Sequence, residues 1–115
     1  MTVHIEQVQP LINENSSITA TARFRSGGAA SVPATNVKWR LDNLSTTKTL
    51  QDWASITPAS EVSISITSAM NAIQSNVNNT ETIQLTVASN RGETDAEYGS
   101  IIYKVQNIFG YKANT

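Results

Sequence analysis

The chain has few of the residue types that catalysis requires. A serine nucleophile needs a general base, usually histidine, and a carboxylate that orients the base. The sequence contains a single histidine, His4, on the polar side of a predicted strand, and it contains no cysteine. Gly27 and Gly28 do not lead into a phosphate-binding helix and are expected at a hairpin tip. We therefore predict no catalytic residue and no cofactor, with a small hydrolase built on an acid pair as the remaining enzymatic alternative.

Three carboxylates form the candidate metal site. Glu93, Asp95 and Glu97 alternate along the sequence that leads into the last predicted strand, and in a strand they would share one face. Carboxylates gathered in this way could hold a hard cation such as calcium. The favoured interpretation is instead a charged edge that discourages unwanted strand pairing. We therefore predict no resident metal and keep these three residues as the alternative.

Aromatic residues mark the candidate contact surfaces. Trp39 lies in the middle of an alternating strand and is expected to be a core residue. Trp53 is not flanked by alternating apolar residues, and it either covers the core from an edge strand or anchors a partner. Phe109 and Tyr111 lie near the C-terminus, where chains are normally polar. The predicted partner-binding residues are therefore Trp53, Phe109 and Tyr111.

Composition argues against several kinds of partner. The 115 residues carry a net charge of -1, so no basic surface is expected for nucleic acid or for an anionic membrane. No apolar run approaches the roughly 20 residues of a membrane-spanning helix, and residues 1–6 do not resemble a signal peptide. Because the chain has no cysteine for disulfides, folding in a reducing cytoplasm is expected.

Alternation of apolar and polar residues predicts an all-β fold of about seven strands. Turn-forming residues separate the alternating runs, as in a sandwich or a barrel. The fourth run is short, and we expect it to be an edge strand. The predicted strands are Val3–Val8, Ser17–Arg25, Asn36–Leu41, Lys48–Trp53, Glu61–Thr67, Thr80–Val87 and Ala96–Asn107.

One segment departs from the strand pattern. Ser68–Ile73 has apolar residues at near-helical spacing, which indicates either one helical turn between the sheets or an irregular loop. The chain length fits a single domain, which we place at residues 1–107. Residues 108–115 continue beyond the last strand and are predicted to form a C-terminal tail that acts as a docking arm.

Seven short strands with a tryptophan on the third, Trp39, resemble the immunoglobulin-like β-sandwich. The resemblance covers residues 3–107 and implies two packed sheets of antiparallel strands. It departs from antibody domains because the cysteine pair is missing. The penultimate strand, Glu81–Ser89, also lacks the tyrosine that forms the tyrosine corner of those domains.

The chain around and beyond Trp39 is similar to small structural proteins of tailed bacteriophages. The resemblance implies a non-enzymatic virion protein, made in the host cytoplasm, that decorates a capsid. Its partners would be the major capsid protein and further copies of itself. A carbohydrate-binding or adhesion module on a tail or fibre is the alternative function. The segments that carry the resemblance are Val37–Asp42, Leu50–Trp53, Val62–Ile66 and Glu81–Val87.

Overall fold

The computed structural model describes residues 1–75 and 77–107, and their secondary structure is almost entirely β. The strands are longest where the alternation of apolar and polar residues is longest. They are β1 (Thr2–Ile5), β2 (Leu11–Asn13), β3 (Ile18–Ser26), β4 (Ala29–Ala30), β5 (Val37–Asn43), β6 (Lys48–Ile56), β7 (Glu61–Ile66), β8 (Thr80–Ser89) and β9 (Glu97–Gln106).

The strands form two sheets that pack together as a sandwich. In the first sheet β3 is central, with β1 on one side and β7 and β4 on the other. The second sheet has five strands in the order β2–β9–β8–β5–β6. The strands pair antiparallel, except that β2 runs parallel to β9. The predicted two-sheet, all-β sandwich is therefore confirmed.

The N-terminal segment is divided between the two sheets, although its sequence predicts one strand over Val3–Val8. Strand β1 ends at Ile5, and the Glu6 N–H still donates to the Thr21 carbonyl oxygen at 2.9 Å. The chain then crosses to the second sheet as β2. Strands β2 and β4 were not predicted, because two or three residues are too few to show alternation.

Two further expectations about local structure are confirmed. The helical turn predicted near residues 68–73 is a 3-10 helix at Ser68–Asn71, between β7 of the first sheet and β8 of the second. The hairpin tip at Gly27 and Gly28 joins β3 to β4, with φ of 60° and 85° at these residues. Positive φ at both central residues defines the tight turn whose twist matches that of paired strands. The fourth predicted run, β6, is the outermost strand of its sheet, as expected, but it extends to Ile56 and is longer than predicted.

The core lies between the two sheets and uses the inward residues of each alternating run. Phe24, Leu41 and Leu85 are fully buried, and each such side chain stabilises the fold by about 1.5–3 kcal/mol. Trp39 is 9% exposed and belongs to the same cluster, as the sequence predicts. The cluster comprises Ile5, Ile12, Ala20, Ala22, Phe24, Val37, Trp39, Leu41, Val62, Ile64, Ile66, Ile73, Ile83, Leu85, Val87, Tyr103 and Val105.

The two sheets approach most closely where β1 crosses over β9. A Cβ atom added to Gly99 would lie 2.8 Å from the carbonyl oxygen of Val3 and 3.1 Å from its Cγ1 atom. The first of these contacts is with backbone, which cannot rotate away. Glycine at this position therefore allows the N-terminal strand to pack against the second sheet.

We predict that Gly99→Ala destabilises the protein by about 1–3 kcal/mol, because β1 must shift to admit the methyl group. Urea unfolding followed by tryptophan fluorescence measures the change. Ser100→Ala, at the adjacent exposed position, is the control and should stay within about 0.5 kcal/mol of the parent protein. Equal stability of the two variants would show that the close approach is not a constraint.

Candidate functional site: the outer face of the five-stranded sheet

The outer face is the side of the five-stranded sheet that points away from the core. Strand alternation and pairing place a layer of mainly polar side chains there. Cross-strand register aligns them in rows, so that Tyr98, Ala88 and Lys38 form one row. The face includes Lys38, Arg40 and Asp42 of β5, Gln84, Thr86 and Ala88 of β8, and Tyr98, Ser100, Ile102 and Lys104 of β9.

Three large side chains cluster at one end of the outer face. The guanidinium carbon of Arg91 lies 4.4 Å from the ring centroid of Trp53, which is a cation–π contact. The rings of Trp53 and Tyr98 meet edge to face, with centroids 6.2 Å apart and planes at 63°. Trp53 and Arg91 are half-buried, whereas Tyr98 remains 55% exposed. We call Trp53, Arg91 and Tyr98 the Trp53 cluster.

A small residue lies on the sheet beside the Trp53 cluster. Ala88 alternates with the inward Val87 and Ser89 and therefore projects from the outer face. It is nevertheless fully buried, and it is not part of the core between the sheets. Side chains of the outer face must therefore cover it. Its register neighbours on this face are Tyr98 and Lys38, and Trp53 contacts Tyr98, which supplies the exposed aromatic surface.

An asparagine clamp holds Arg91 in its position. The Asn36 amide oxygen accepts from the Arg91 N–H at 2.9 Å, and the Asn36 amide nitrogen donates to the Arg91 carbonyl oxygen at 3.0 Å. In return, the Asn90 amide oxygen accepts from the Thr35 N–H at 2.8 Å. Asn90 has a φ of 52°, which asparagine tolerates better than most residues. The β8–β9 turn is therefore fastened to the chain before β5, and the guanidinium is carried by a fixed backbone.

Charged side chains beside the Trp53 cluster neutralise one another. The Arg40 Nε atom donates to both carboxylate oxygens of Asp42 at 3.0 Å, and Arg40 Nη2 donates to the Thr49 hydroxyl at 2.9 Å. Asp52, which is mostly exposed, lies 3.7 Å from Arg40. Arg40, Asp42 and Asp52 therefore form a paired set of charges among hydroxyl and amide groups, while Lys38 and Lys104 add positive charge to the same face.

Exposed apolar residues extend the outer face away from the Trp53 cluster. Ile102 is 48% exposed and lies four residues beyond Tyr98 on β9. Leu11 of β2 is 46% exposed and is paired with Lys104, next to Ile102. The apolar side chains thus run along the β9 side of the sheet. A surface with aromatic and aliphatic groups inside a polar border has the composition of an interaction site.

The candidate metal ligands are separated by local structure. Glu93 and Asp95 lie in the turn between β8 and β9, whereas Glu97 begins β9, so the three do not alternate along one strand. Asp95 accepts a hydrogen bond from the Asn90 amide nitrogen at 3.1 Å. Within residues 1–75 and 77–107, no group of three His, Cys, Asp or Glu side chains is placed to hold a metal ion.

The buried carboxylate of Glu81 fastens a loop to the sandwich. It is 1% exposed and accepts hydrogen bonds from the Asn43 side chain at 2.9 Å and the Gln74 N–H at 2.6 Å. The Ser75 N–H and the Asn78 side chain donate to its other oxygen, each at 3.0 Å. Four donors offset the cost of burying the carboxylate, which explains its place in the interior.

A second buried polar group fastens the 3-10 helix. The Tyr103 hydroxyl donates to the Asn71 amide oxygen at 2.7 Å, and the Asn71 amide nitrogen donates to the Ser16 carbonyl oxygen at 2.7 Å. Burial raises the pKa of the Tyr103 phenol above its ordinary value, because the phenolate would be poorly solvated there. The interaction joins β9, the 3-10 helix and the loop before β3.

We predict that Tyr103→Phe lowers stability at pH 7 by about 1–3 kcal/mol, because the buried Asn71 oxygen loses its donor. Because the pKa of Tyr103 is higher in the folded protein, its neutral phenol contributes to the free energy of unfolding. This contribution is fully present below about pH 10, the pKa of tyrosine in an unfolded chain, and it declines at higher pH. The variant should therefore lose stability less steeply above about pH 10, by up to about 1.4 kcal/mol per pH unit. Urea unfolding from neutral to alkaline pH tests this, with Tyr98→Phe as the exposed control that retains the parent's slope.

We predict different stability effects at the two aromatic positions of the Trp53 cluster. Trp53→Ala removes both the cation–π and the edge-to-face contact, which should cost about 1–2 kcal/mol. Tyr98→Ala removes the edge-to-face contact of a largely exposed ring and should cost less, about 0.5–1 kcal/mol. Thermal and urea unfolding of both variants provide the measurement. If Trp53→Ala is as stable as the parent protein, the contacts of the Trp53 ring with Arg91 and Tyr98 do not stabilise the fold.

The structure brings one of the predicted contact residues, Trp53, into the candidate site. Phe109 and Tyr111 lie outside the described residues, so their predicted role stays a prediction. His4 is exposed, as expected. Sequence reasoning missed Tyr98, whose outward position follows from the inward register of β9. It also missed Arg91, whose approach to Trp53 depends on a contact between segments far apart in the chain.

The chain was compared with known proteins by family, by sequence and by structure. A scan against protein-family models matches no family, and searches of curated proteins and of solved structures return no match. In the described part of the chain, no helix has the length and apolar character needed to cross a membrane.

Proposed function

We propose that the protein is a non-enzymatic structural protein of a bacteriophage virion, which decorates the capsid by binding the major capsid protein. The observation that carries the proposal is the Trp53 cluster on the outer face. Tryptophan, tyrosine and arginine are the residue types that supply most of the binding energy at protein interfaces. Here they are held together by direct contacts and by a backbone clamp, so little side-chain freedom is lost on binding.

The surroundings of the Trp53 cluster suit docking to another protein. Ile102 and Leu11 continue the apolar surface, and paired charges such as Arg40 with Asp42 form part of its border. The paired strands of the sheet present these groups on one face. Many copies on one particle would turn a modest affinity at each site into durable attachment.

The immunoglobulin-like class is the finer fold proposal that accompanies this function. It is supported by Trp39, which is buried on β5 against the core, and by the division of the N-terminal segment between the two sheets. In antibody domains the tyrosine corner lies on the penultimate strand. Here the tyrosine that bonds to a distant segment is Tyr103 on the last strand, β9, and its hydroxyl donates to Asn71 of the 3-10 helix.

Binding to capsids that lack the protein is the experiment that tests this proposal. We predict that the purified chain pellets with such capsids at a saturating copy number set by particle symmetry. Tyr98→Ala should weaken binding by at least about tenfold, because it removes an anchor without unfolding the domain. His4→Ala changes an exposed side chain on β1 of the opposite sheet and is the matched control, which should bind normally.

The C-terminal tail is tested in the same assay by a truncation after Asn107. This end point keeps Asn107, whose N–H donates to the Asn79 carbonyl oxygen at 2.8 Å. Loss of binding on truncation would assign a contact to the tail that contains Phe109 and Tyr111. Failure of the intact protein to pellet would remove the capsid proposal.

A carbohydrate-binding role on a tail or fibre is the second candidate function. The exposed ring of Tyr98 lies on the same face as three polar side chains. Ser100 is paired with Thr86 in the sheet, and Gln84 lies two residues before Thr86 on β8. An aromatic ring can stack on the apolar side of a sugar, while hydroxyl and amide groups bond to its hydroxyls. Saturable binding to host surface glycans that Tyr98→Ala abolishes, without binding to capsids, would favour this candidate.

A further inference from the structure

We propose that β7 is a self-association edge, at which two copies of the chain pair antiparallel and join their first sheets into one. The proposal is independent of the decoration function, because β7 belongs to the opposite sheet from the Trp53 cluster. It rests on the open backbone of β7, on the absence of edge protection and on a self-complementary register.

The backbone of β7 offers hydrogen-bonding groups to solvent at alternate residues. The Phe24 N–H donates to the Ser60 carbonyl oxygen at 2.9 Å, which fixes the register in which β3 and β7 exchange hydrogen bonds. In an antiparallel ladder the intervening residues turn their N–H and C=O groups to the other side. These residues are Glu61, Ser63 and Ser65, and in the described part of the chain β7 pairs with no strand except β3.

The other sheet edges of the sandwich are protected, whereas β7 is not. Strands β1 and β2 have only four and three residues. Strand β6 is long, but its pairing with β5 is interrupted by register shifts on either side of Leu41, and it carries Lys48 and Asp52. Bulges, charges and short length are the usual means by which proteins prevent edge pairing. Strand β7 pairs in regular register along Glu61–Ile66 and has neither lysine nor proline, and its one charged side chain, Glu61, is paired with Arg23 of β3.

The sequence of β7 is compatible with pairing to itself about a twofold axis. If Ser63 faces Ser63 of a second copy, Glu61 lies opposite Ser65, and no two like charges meet. All three outward residues then exchange backbone hydrogen bonds, which gives six bonds across the interface. Val62 and Ile64 lie on the core side in both copies, so the apolar layers of the two sandwiches become continuous. The contact is isologous, and it closes at two copies.

The occupant of this edge is therefore a second copy of the chain rather than an unrelated peptide. A partner peptide would gain affinity from the main chain but specificity from side-chain pockets beside the edge. The outward side chains of β7, Glu61, Ser63 and Ser65, are small or solvated and form no such pocket, whereas serine opposite serine is a favourable cross-strand pair.

A charge-reversal experiment tests the proposal. Sedimentation velocity of the full chain over about 1 µM to 1 mM should show a monomer–dimer equilibrium. Ser63→Lys places two lysines directly opposite each other in the dimer and should raise the dissociation constant by at least about tenfold. Ser63→Glu should have the same effect. An equimolar mixture of the two variants should restore dimers, because opposite charges then face each other.

Thr19→Lys is the matched control, because Thr19 lies on the same outward side of the first sheet but on the inner strand β3, paired with Ser65. It should dimerise like the parent protein. Thermal unfolding of each variant separates a loss of pairing from a loss of folding. A parent protein that stays monomeric up to the highest concentration overturns the proposal. So does a dimer that Ser63→Lys leaves intact, or one that mixed charges do not restore.

Discussion

The structure depends on the burial of one apolar face from each of two sheets against the other. The alternating strands commit every second residue to this layer, so that Phe24 of β3 and Leu85 of β8 are completely buried. The layer is thin enough at one end for β1 to touch β9 above Gly99. Because the inward residues are fully used in packing, the chemistry open to partners is confined to the outer faces, the sheet edges and the loops.

Several polar groups that enter the interior are hydrogen-bonded within the protein, and they act as fasteners. Glu81 receives four donors from the end of β5 and the loop before β8, and Tyr103 connects β9 to the 3-10 helix through Asn71. The Asn36 and Asn90 side chains act in the same way at the opposite end of β5, where they fix Arg91. A buried polar group that is satisfied by donors in this way stabilises the loops that it joins.

The surfaces left by this architecture differ in kind. The outer face of the five-stranded sheet presents rigid side chains, and Trp53 with Tyr98 gives it an anchor for a protein or a sugar. The edge of the other sheet presents backbone, and its small outward side chains favour an identical partner. A decoration protein needs contacts with the particle and gains from contacts with its neighbours. Two independent surfaces on opposite sheets would allow both.

The sequence by itself determined the sheet-forming runs, the inward set of residues and the core position of Trp39, because these depend on local periodicity. It also singled out Trp53 as a residue outside the alternating frame. Only the tertiary structure decided between a helical turn and a loop after β7, took the chain from β1 to the second sheet as β2, brought Arg91 and Tyr98 to Trp53, and left β7 open. These features arise from the pairing of distant segments, and strand pairing is governed by backbone hydrogen bonds that are the same for every residue type except proline.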